Sequence, residues 1–590
     1  MLLSLIVIVF WGLLAFVWAS RGFYSAFLGM VCTVLAGAIA FALWEVVGYQ
    51  ILGASPVGGT FAWLEGVAWA LGLALPFVLA LGILRAITDG VLRANVTVGT
   101  SVNYVGGGIC GIVTSTIVMG ILVLSIGQQR FGQDLFGFKP LSFQAGNVVR
   151  DGGLLLPVDR ITAGMYSHFS KTSFRTRENL AKWHPDFELV GPAMRMTFEG
   201  SNRTTARPEH VSLAGRFRAK AGKLEDLLSD NQNPGRQNVQ NVNGQNFGSD
   251  ARIEGFVLRV ASGAAEKNGK ITVGNAQVRL VATDGRSSTT LFPIAVASQA
   301  DATTPGFGRW RFDSNDTYIA SVGGGAESVM SFEFVVPNGF EPLALYFKGT
   351  RVAFDSTQQP TVVASSAGMR DAIQAAPIAS VGGGGGASIN ISDLKLDKAR
   401  KIEPVQEGQL PPGIRVGAML PFTIQEGLHA PLEIAEDKRV IQGEVTFVAK
   451  DVDPMQSVDR ALRIDTFLLE SDTTIVQVEA AGDSSFSFLN PTIATLEKRD
   501  VPIALVDDRG TVYQPVGFVY RDDVRAIVRY TPGQPIATLS QIDATASISR
   551  SRPTQKLTLL FRVTKGAKIQ YYVAGQTVVA EFTPTLNTNR

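Results

Sequence analysis

LLSLIVIVFWGLLAFVWA, residues 2–19, decides the fold class. The run carries no charge and is long enough for a helix of about 20 residues to cross a bilayer. A cleaved signal peptide is the competing reading, because Val17-Trp18-Ala19-Ser20 resembles a small-residue cleavage site. No Lys or Arg precedes the run, and three more apolar runs follow at about 24–47, 61–84 and 104–127. The helix is therefore expected to be kept as the first of four spans.

Only Arg21, Glu45, Glu65, Arg85, Asp89 and Arg93 are charged within residues 1–127. Arg21 lies between spans one and two, and Arg85 and Arg93 between three and four. The 51–60 connection has no basic residue. The positive-inside rule predicts a multi-pass inner (cytoplasmic) membrane protein with both termini on the periplasmic or extracellular side.

Small residues punctuate the spans. Gly29 and Gly37 lie in the second, and Gly107 and Gly111 form a small-xxx-small face in the fourth. Such faces let backbones approach closely, within one bundle or between copies in a homo-oligomer. Pro76 is expected to kink the third span. Glu45 and Glu65 stand near the outer ends of their helices, where a carboxylate that reaches water is the expected state and a buried proton relay the sharper alternative.

Arg21-Gly22-Phe23 directly after the first span and Val105-Gly-Gly-Gly-Ile-Cys-Gly111 at the start of the fourth resemble the colicin V production protein (CvpA) family, and Asp89-Gly90 fits its third loop. The resemblance covers about residues 1–127. It implies an inner-membrane protein needed for toxin production and linked to envelope homeostasis, with no established chemistry. Members often carry an Arg-Gly pair inside the fourth span, where this chain has Val113-Thr114, so any role of that arginine does not transfer.

Beyond residue 127 the composition becomes that of an ordinary polar surface. Residues 128–230 read as an irregular juxtamembrane connector. Within it Pro157, Val158, Ile161, Met165 and Phe169 have the spacing of a short amphipathic helix, lying on the membrane surface or against the next domain. Residues 231–250, rich in Asn, Gln and Gly, read as a flexible linker and a domain boundary. From residue 253 short alternating runs, such as Gly255–Val260, Ala276–Val281 and Ser331–Val336, indicate antiparallel strands, and runs near 440–448, 473–478, 513–520, 556–563 and 569–573 repeat the theme.

An internal repeat sharpens this. Leu280-Val-Ala-Thr-Asp-Gly285 matches Leu505-Val-Asp-Asp-Arg-Gly510, Phe334-Val-Val-Pro-Asn-Gly339 matches Phe561-Arg-Val-Thr-Lys-Gly566, and Tyr346-Phe-Lys-Gly349 matches Tyr572-Val-Ala-Gly575, at offsets of 225, 227 and 226. Near-constant spacing predicts two copies of one sandwich, at 251–357 and 438–584, joined by an interdomain segment at 358–437. Their strand order looks like Ig-like sandwiches. Ile319-Ala-Ser-Val-Gly-Gly-Gly325 recurs as Ile378–Gly384, off that spacing, and Gly382–Gly386 reads as a linker because no Lys-Ser/Thr follows it.

The expected fold class is thus multidomain: an N-terminal four-helix transmembrane bundle followed by two all-β, Ig-like sandwich domains. Catalytic signals are lacking. His168, His184, His210 and His429 are scattered, Cys32 and Cys110 both lie in apolar runs, and there is no Gly-x-Ser-x-Gly elbow. Asp507-Asp508 and Asp522-Asp523 stand at expected turns, with calcium binding the lesser alternative. A net charge of +2 gives no argument for nucleic acid. The reading is a non-enzymatic envelope protein without cofactor, whose sandwiches bind a protein, glycan or cell-wall partner. An oligomeric transporter or channel with the β domains as outer vestibule is the alternative.

Overall fold

The computed structural model describes the chain except for residues 1, 56–60, 62, 92–98, 130–133, 145–146, 176–178, 196–204, 224–246, 266–270, 300–306, 314–316, 321–326, 355–358, 375–393, 397–398, 405, 407–408, 430, 450–458, 460–461, 470–472, 482–500, 509, 533–534, 537, 543–553 and 589–590. Four long apolar helices lead, α1 (Leu2–Ser20), α2 (Phe23–Ala54), α3 (Leu64–Val91) and α4 (Thr100–Gly127), each long and apolar enough to cross a membrane. Their outward faces form an apolar belt, seen on α2 from Phe27 to Val46 and on α3 from Leu75 to Val91.

Close packing inside the bundle relies on the small residues. A Cβ on Gly111 would lie 2.7 Å from the Ala15 carbonyl oxygen, one on Gly107 3.1 Å from that of Ala19, and one on Gly29 2.4 Å from the Trp18 ring. Gly72, not singled out from sequence, lets α3 approach the Trp44 carbonyl of α2, where a Cβ would come within 2.6 Å. The Arg21-Gly22-Phe23 turn is built with Gly22 at φ 86°, and the Phe23 N–H donates to Asn103 Oδ1 of α4 at 2.7 Å. Phe23 packs on Gly106, so the two quoted motifs meet in space. α3 continues through Pro76, whose ring is buried.

The connector is more ordered than its sequence suggests. After a hairpin of β1 (Leu141–Gln144) and β2 (Asn147–Arg150) come α5 (Val158–Lys171), α6 (Leu180–Trp183) and α7 (Phe187–Arg195). Ala163, Tyr166, Leu180, Phe187, Val190 and Met194 share one core with α2, α3 and α4. Tyr166 explains Gly37: its Oη donates to the Val34 carbonyl at 3.1 Å, and a Cβ on Gly37 would collide with it.

The first sandwich comprises β3 (Val211–Lys220), β4 (Arg252–Ala261), β5 (Ile271–Gly274), β6 (Val278–Thr283), β7 (Ser288–Leu291), β8 (Ala295–Gln299), β9 (Phe307–Arg311), β10 (Thr317–Ala320), β11 (Glu327–Val335), β12 (Glu341–Phe347), β13 (Thr350–Val352) and β14 (Thr361–Val362). Its sheets run β14-β3-β4-β11-β8-β9 and β13-β12-β6-β7, with β10 paired to β5, around Phe256, Leu258, Leu280, Phe332 and Leu345. Met369 and Ile373 of α8 (Ser366–Gln374) join Phe217 and Val257 on the other face of the larger sheet.

The second sandwich comprises β15 (Arg400–Ile402), β16 (Ile414–Val416), β17 (Met419–Gln425), β18 (Glu433–Ile434), β19 (Arg439–Val448), β20 (Arg463–Phe467), β21 (Thr473–Ala481), β22 (Ile503–Asp507), β23 (Val512–Tyr513), β24 (Pro515–Arg521), β25 (Arg525–Tyr530), β26 (Lys556–Thr564), β27 (Lys568–Ala574) and β28 (Thr577–Asn587). Strand order β16-β21-β26-β24-β25 reproduces β3-β4-β11-β8-β9, and β28-β27-β22-β23 reproduces β13-β12-β6-β7.

This equivalence moves the boundaries read from sequence. β3 lies inside the supposed connector, yet it pairs antiparallel with β4 from Val211↔Val260 to Lys220↔Arg252. The Asn/Gln/Gly tract therefore connects two neighbouring strands of one sheet and does not separate domains. Residues 231–246 of it lie outside the described residues. In the second sandwich the same connection, between β16 and β21, holds β17 to β20, which add strands and a second core in which Ile424, Ile464 and Phe467 meet Val519, Val528 and Leu560 of the main sheet. Its edge strands begin at Arg400, so about half of the supposed interdomain segment belongs to the second sandwich. The second copy of the Ile-Ala-Ser-Val-Gly-Gly-Gly motif lies outside the described residues, as does the first beyond Ala320.

Candidate functional site at the bundle–sandwich interface

The polar residues of the outer helix ends converge beneath the first sandwich. Glu45 and Glu65, expected to reach water, are covered: their side chains are only 16% and 15% exposed. Both meet cations from the β region. Glu45 Oε1 lies 3.7 Å from Arg351 Nε on β13. Glu65, in the first turn of α3, lies 3.8 Å from Arg207 Nη2. That guanidinium also donates to the Ser55 carbonyl at 2.7 Å, at the C-cap of α2. Desolvating these carboxylates is tolerated because opposite charges replace water, which the sequence could not reveal.

His184, which follows α6, sits at the centre and is buried. Its Nδ1 lies 3.4 Å from Arg279 Nη2, its Nε2 lies 3.2 Å from Tyr346 Oη, and the Glu45 carboxylate is 3.8 Å away. Burial, aided by the Arg279 and Arg351 charges, holds its pKa below the ordinary imidazole value despite Glu45, so the ring is neutral. An arginine only donates, so Nδ1 must be the acceptor and Nε2 carries the proton. Nε2–H then points to Tyr346 Oη, whose hydroxyl donates to the Trp183 carbonyl at 3.4 Å. Burial pushes the Tyr346 phenol well above its usual range.

Aromatic rings close the cluster. The Arg279 guanidinium lies 4.2 Å over Tyr346 and that of Arg351 4.8 Å over Trp183. Trp44 packs on His184 and Trp69, and Tyr49 on Trp69, with centroids 5.0 to 5.4 Å apart. The Arg351 N–H donates to Tyr49 Oη at 2.9 Å. The β12–β13 turn, Lys348 at φ 46° and Gly349 at φ 79°, rests against Trp69 and Met194. Such an arrangement fixes the sandwich on the helix ends. It brings together a carboxylate, two guanidiniums and a neutral imidazole across the contact between helix ends and sandwich.

The register shows how the repeat was specialised. Leu345↔Leu280 on the inner face corresponds to Tyr572↔Leu505, one residue away from the match of Tyr346 with Tyr572 read from sequence, because Gly349 is the second central residue of the Phe347–Thr350 turn and Gly575 the first of the Ala574–Thr577 turn. Arg279, Tyr346 and Arg351 form a cross-strand row, and the equivalent row in the second sandwich is Ala504, Val573 and Val578. There the face is apolar and packs on Leu394 and Ala399. An arginine pair present in one repeat and missing from the other was the available sequence signal.

The remaining sequence candidates have local roles. Asp89 pairs with Arg85 at 3.0 Å across one helical turn and is 63% exposed, a contact worth little. Arg21 stacks on Trp18 at 5.1 Å, as Arg85 does at 5.4 Å, at the bundle end away from the sandwiches. Arg93 lies outside the described residues. Asp522 accepts from the Val524 and Arg525 N–H groups at 2.8 Å, which caps the β24–β25 turn.

Fold and site together define a membrane-associated protein in which an apolar four-helix bundle carries a docked β region. No protein-family model, curated protein or solved structure matches the chain.

Proposed function

We propose that the chain is a non-enzymatic, CvpA-like envelope protein of the inner membrane, with a role in toxin production or envelope homeostasis. Its sandwiches act outside the cytoplasm as a binding scaffold for an envelope protein, glycan or cell-wall partner. The observation that carries this reading is the polar seal of Glu45 and Glu65 against Arg351 and Arg207, which holds the first sandwich against the bundle. A sandwich held in this way presents its loops at a set distance from the bilayer. Arg21 and Arg85 at the opposite end support a cytoplasmic position for that end. Gly29, Gly37, Gly107 and Gly111 are all engaged within the chain, which favours an anchor over an oligomer built on those faces.

The test is genetic and topological. Cells lacking the protein should lose toxin release or gain sensitivity to envelope stress, and the full chain should restore them. Normal toxin release and normal stress tolerance in the deletion would overturn the proposed role. An engineered cysteine at the exposed Thr583, near the C-terminus, should react with an impermeant thiol reagent in intact cells; labelling only after lysis would reverse the orientation.

A further inference from the structure

α5 presents an outward stripe that no part of the described chain covers. Arg160, Ile161, Gly164, His168 and Lys171 follow one another at helical spacing and are exposed, and Phe174 and Arg175 extend the stripe past the helix end. Exposed apolar side chains are interleaved with the cations: Leu155, Ile161 and Phe174. The opposite face is locked into the bundle. A Cβ on Gly120 of α4 would lie 2.0 Å from Thr162 Oγ1, and the Tyr166 ring stacks on Phe41 of α2 at 4.8 Å.

These anchor points fix the height of α5. Phe41 lies within the apolar belt that ends at Val46 on α2, and Gly120 within the one that reaches Leu122 on α4. At about 1.5 Å per residue, Gly120 lies about half a turn and Phe41 about a turn and a half inside the belt's edge, and the Tyr166 hydroxyl alone reaches deeper, to the Val34 carbonyl. Hydrocarbon would strand three cations, and bulk water would strand Leu155, Ile161 and Phe174. The one layer that satisfies both sets is that of the lipid headgroups, where basic side chains reach phosphates while their stems and neighbours stay apolar.

We propose that the outward face of α5 is a binding surface for acidic phospholipid headgroups, continuous with the lipid-facing belt and centred on Arg160, Lys171 and Arg175. Within α5 the acidic residue is Asp159, which is half-buried and adjoins Arg160, so the exposed charge of the helix stays positive. His168 adds a further cation only when protonated.

The full chain provides the test. Gly164 has open space where a Cβ would stand, so Gly164→Cys can carry an environment-sensitive fluorophore in the middle of the stripe. In nanodiscs, brominated phospholipid should quench this probe. Native mass spectrometry of the protein extracted from mixed bilayers should show retained phosphatidylglycerol. The Arg160→Gln/Lys171→Gln/Arg175→Gln variant should lower that retention about tenfold or more, by the usual contribution of each basic residue near an anionic surface. Its melting temperature in purely zwitterionic lipid should match that of the unaltered chain, since all three side chains are exposed. Arg21→Gln/Arg85→Gln, at the other end of the bundle, should leave the quenching unchanged. A probe reached by aqueous iodide and not by brominated lipid would overturn the proposal. So would equal lipid retention by the triple variant, or a dimer that shields the probe and is lost in that variant.

Discussion

Gly349→Ala should loosen the first sandwich from the bundle. At φ 79° the residue occupies the left-handed region, where an L side chain costs about 1–2 kcal/mol. The added methyl would also stand 2.6 Å from Met194 Sδ and 2.9 Å from Trp69 Nε1. Met194 can swing aside, but Trp69 is wedged between Trp44 and Tyr49, with centroids 5.4 and 5.1 Å away. Overpacking of that kind costs about 1–3 kcal/mol more. Gly285→Ala is the matched control, at φ 86° with nothing within 4 Å of the new carbon, so it carries the backbone cost alone. Hydrogen exchange of the full chain in nanodiscs should show faster exchange for Gly349→Ala around Tyr49, Trp69 and the Arg351 N–H, and no such change for Gly285→Ala. Equal protection at these sites in the two variants would refute the docking argument.

Other outcomes follow from the same contacts. Glu45→Gln and Arg351→Gln should each destabilise the protein by about 2 kcal/mol in denaturation in detergent, and the double variant by less than the sum, because each single change strands a half-buried charge; additivity would mean no coupling. His184 is kept neutral in the folded chain but protonates at about pH 6.5 when unfolded, so its contribution is complete above that pH and declines as pH falls, by up to about 1.4 kcal/mol per pH unit. The melting temperature of His184→Gln should accordingly depend less steeply on pH between about 4.5 and 6.5 than that of the unaltered chain. Gly111→Leu should lower bundle stability through collision with the Ala15 carbonyl, whereas Gly108→Leu, which faces open space, should be tolerated. Deleting residues 226–245 should leave folding intact, since Ala221 and Gly222 already bond to the Ala251 and Ser249 carbonyls across the strand ends; loss of the first sandwich's protection would contradict the pairing.

Local signals were readable in the sequence and long-range ones were not. Hydropathy marks the four helices because lipid demands continuous apolar stretches, and the repeat offsets anticipate two sandwiches with equivalent strand order. β3 was hidden because VSLAGRFRAK mixes charge into a strand whose outer side is covered only by the two-residue β14, and its partner β4 lies beyond the Asn/Gln/Gly tract. The second sandwich's early start was obscured by the β17–β20 insertion. At the site, Glu45 and Glu65 were visible as rare intramembrane-region charges, but their partners come from residues far along the chain: the Arg351 amide and Tyr49 hydroxyl are 302 positions apart. Arg279 stands out in sequence only against Ala504 of the other repeat, and the fold alone shows what lies opposite it.

The central claim is that the first sandwich and the bundle move as one body. It is tested most directly by the distance distribution between spin labels at Gly90→Cys, at the far end of α3, and Arg286→Cys, in the exposed β6–β7 turn, with Cys32 and Cys110 replaced, in nanodiscs. The seal through Glu45, Glu65 and Gly349 predicts a single narrow peak that broadens in Gly349→Ala. A broad distribution in the unaltered chain would contradict it.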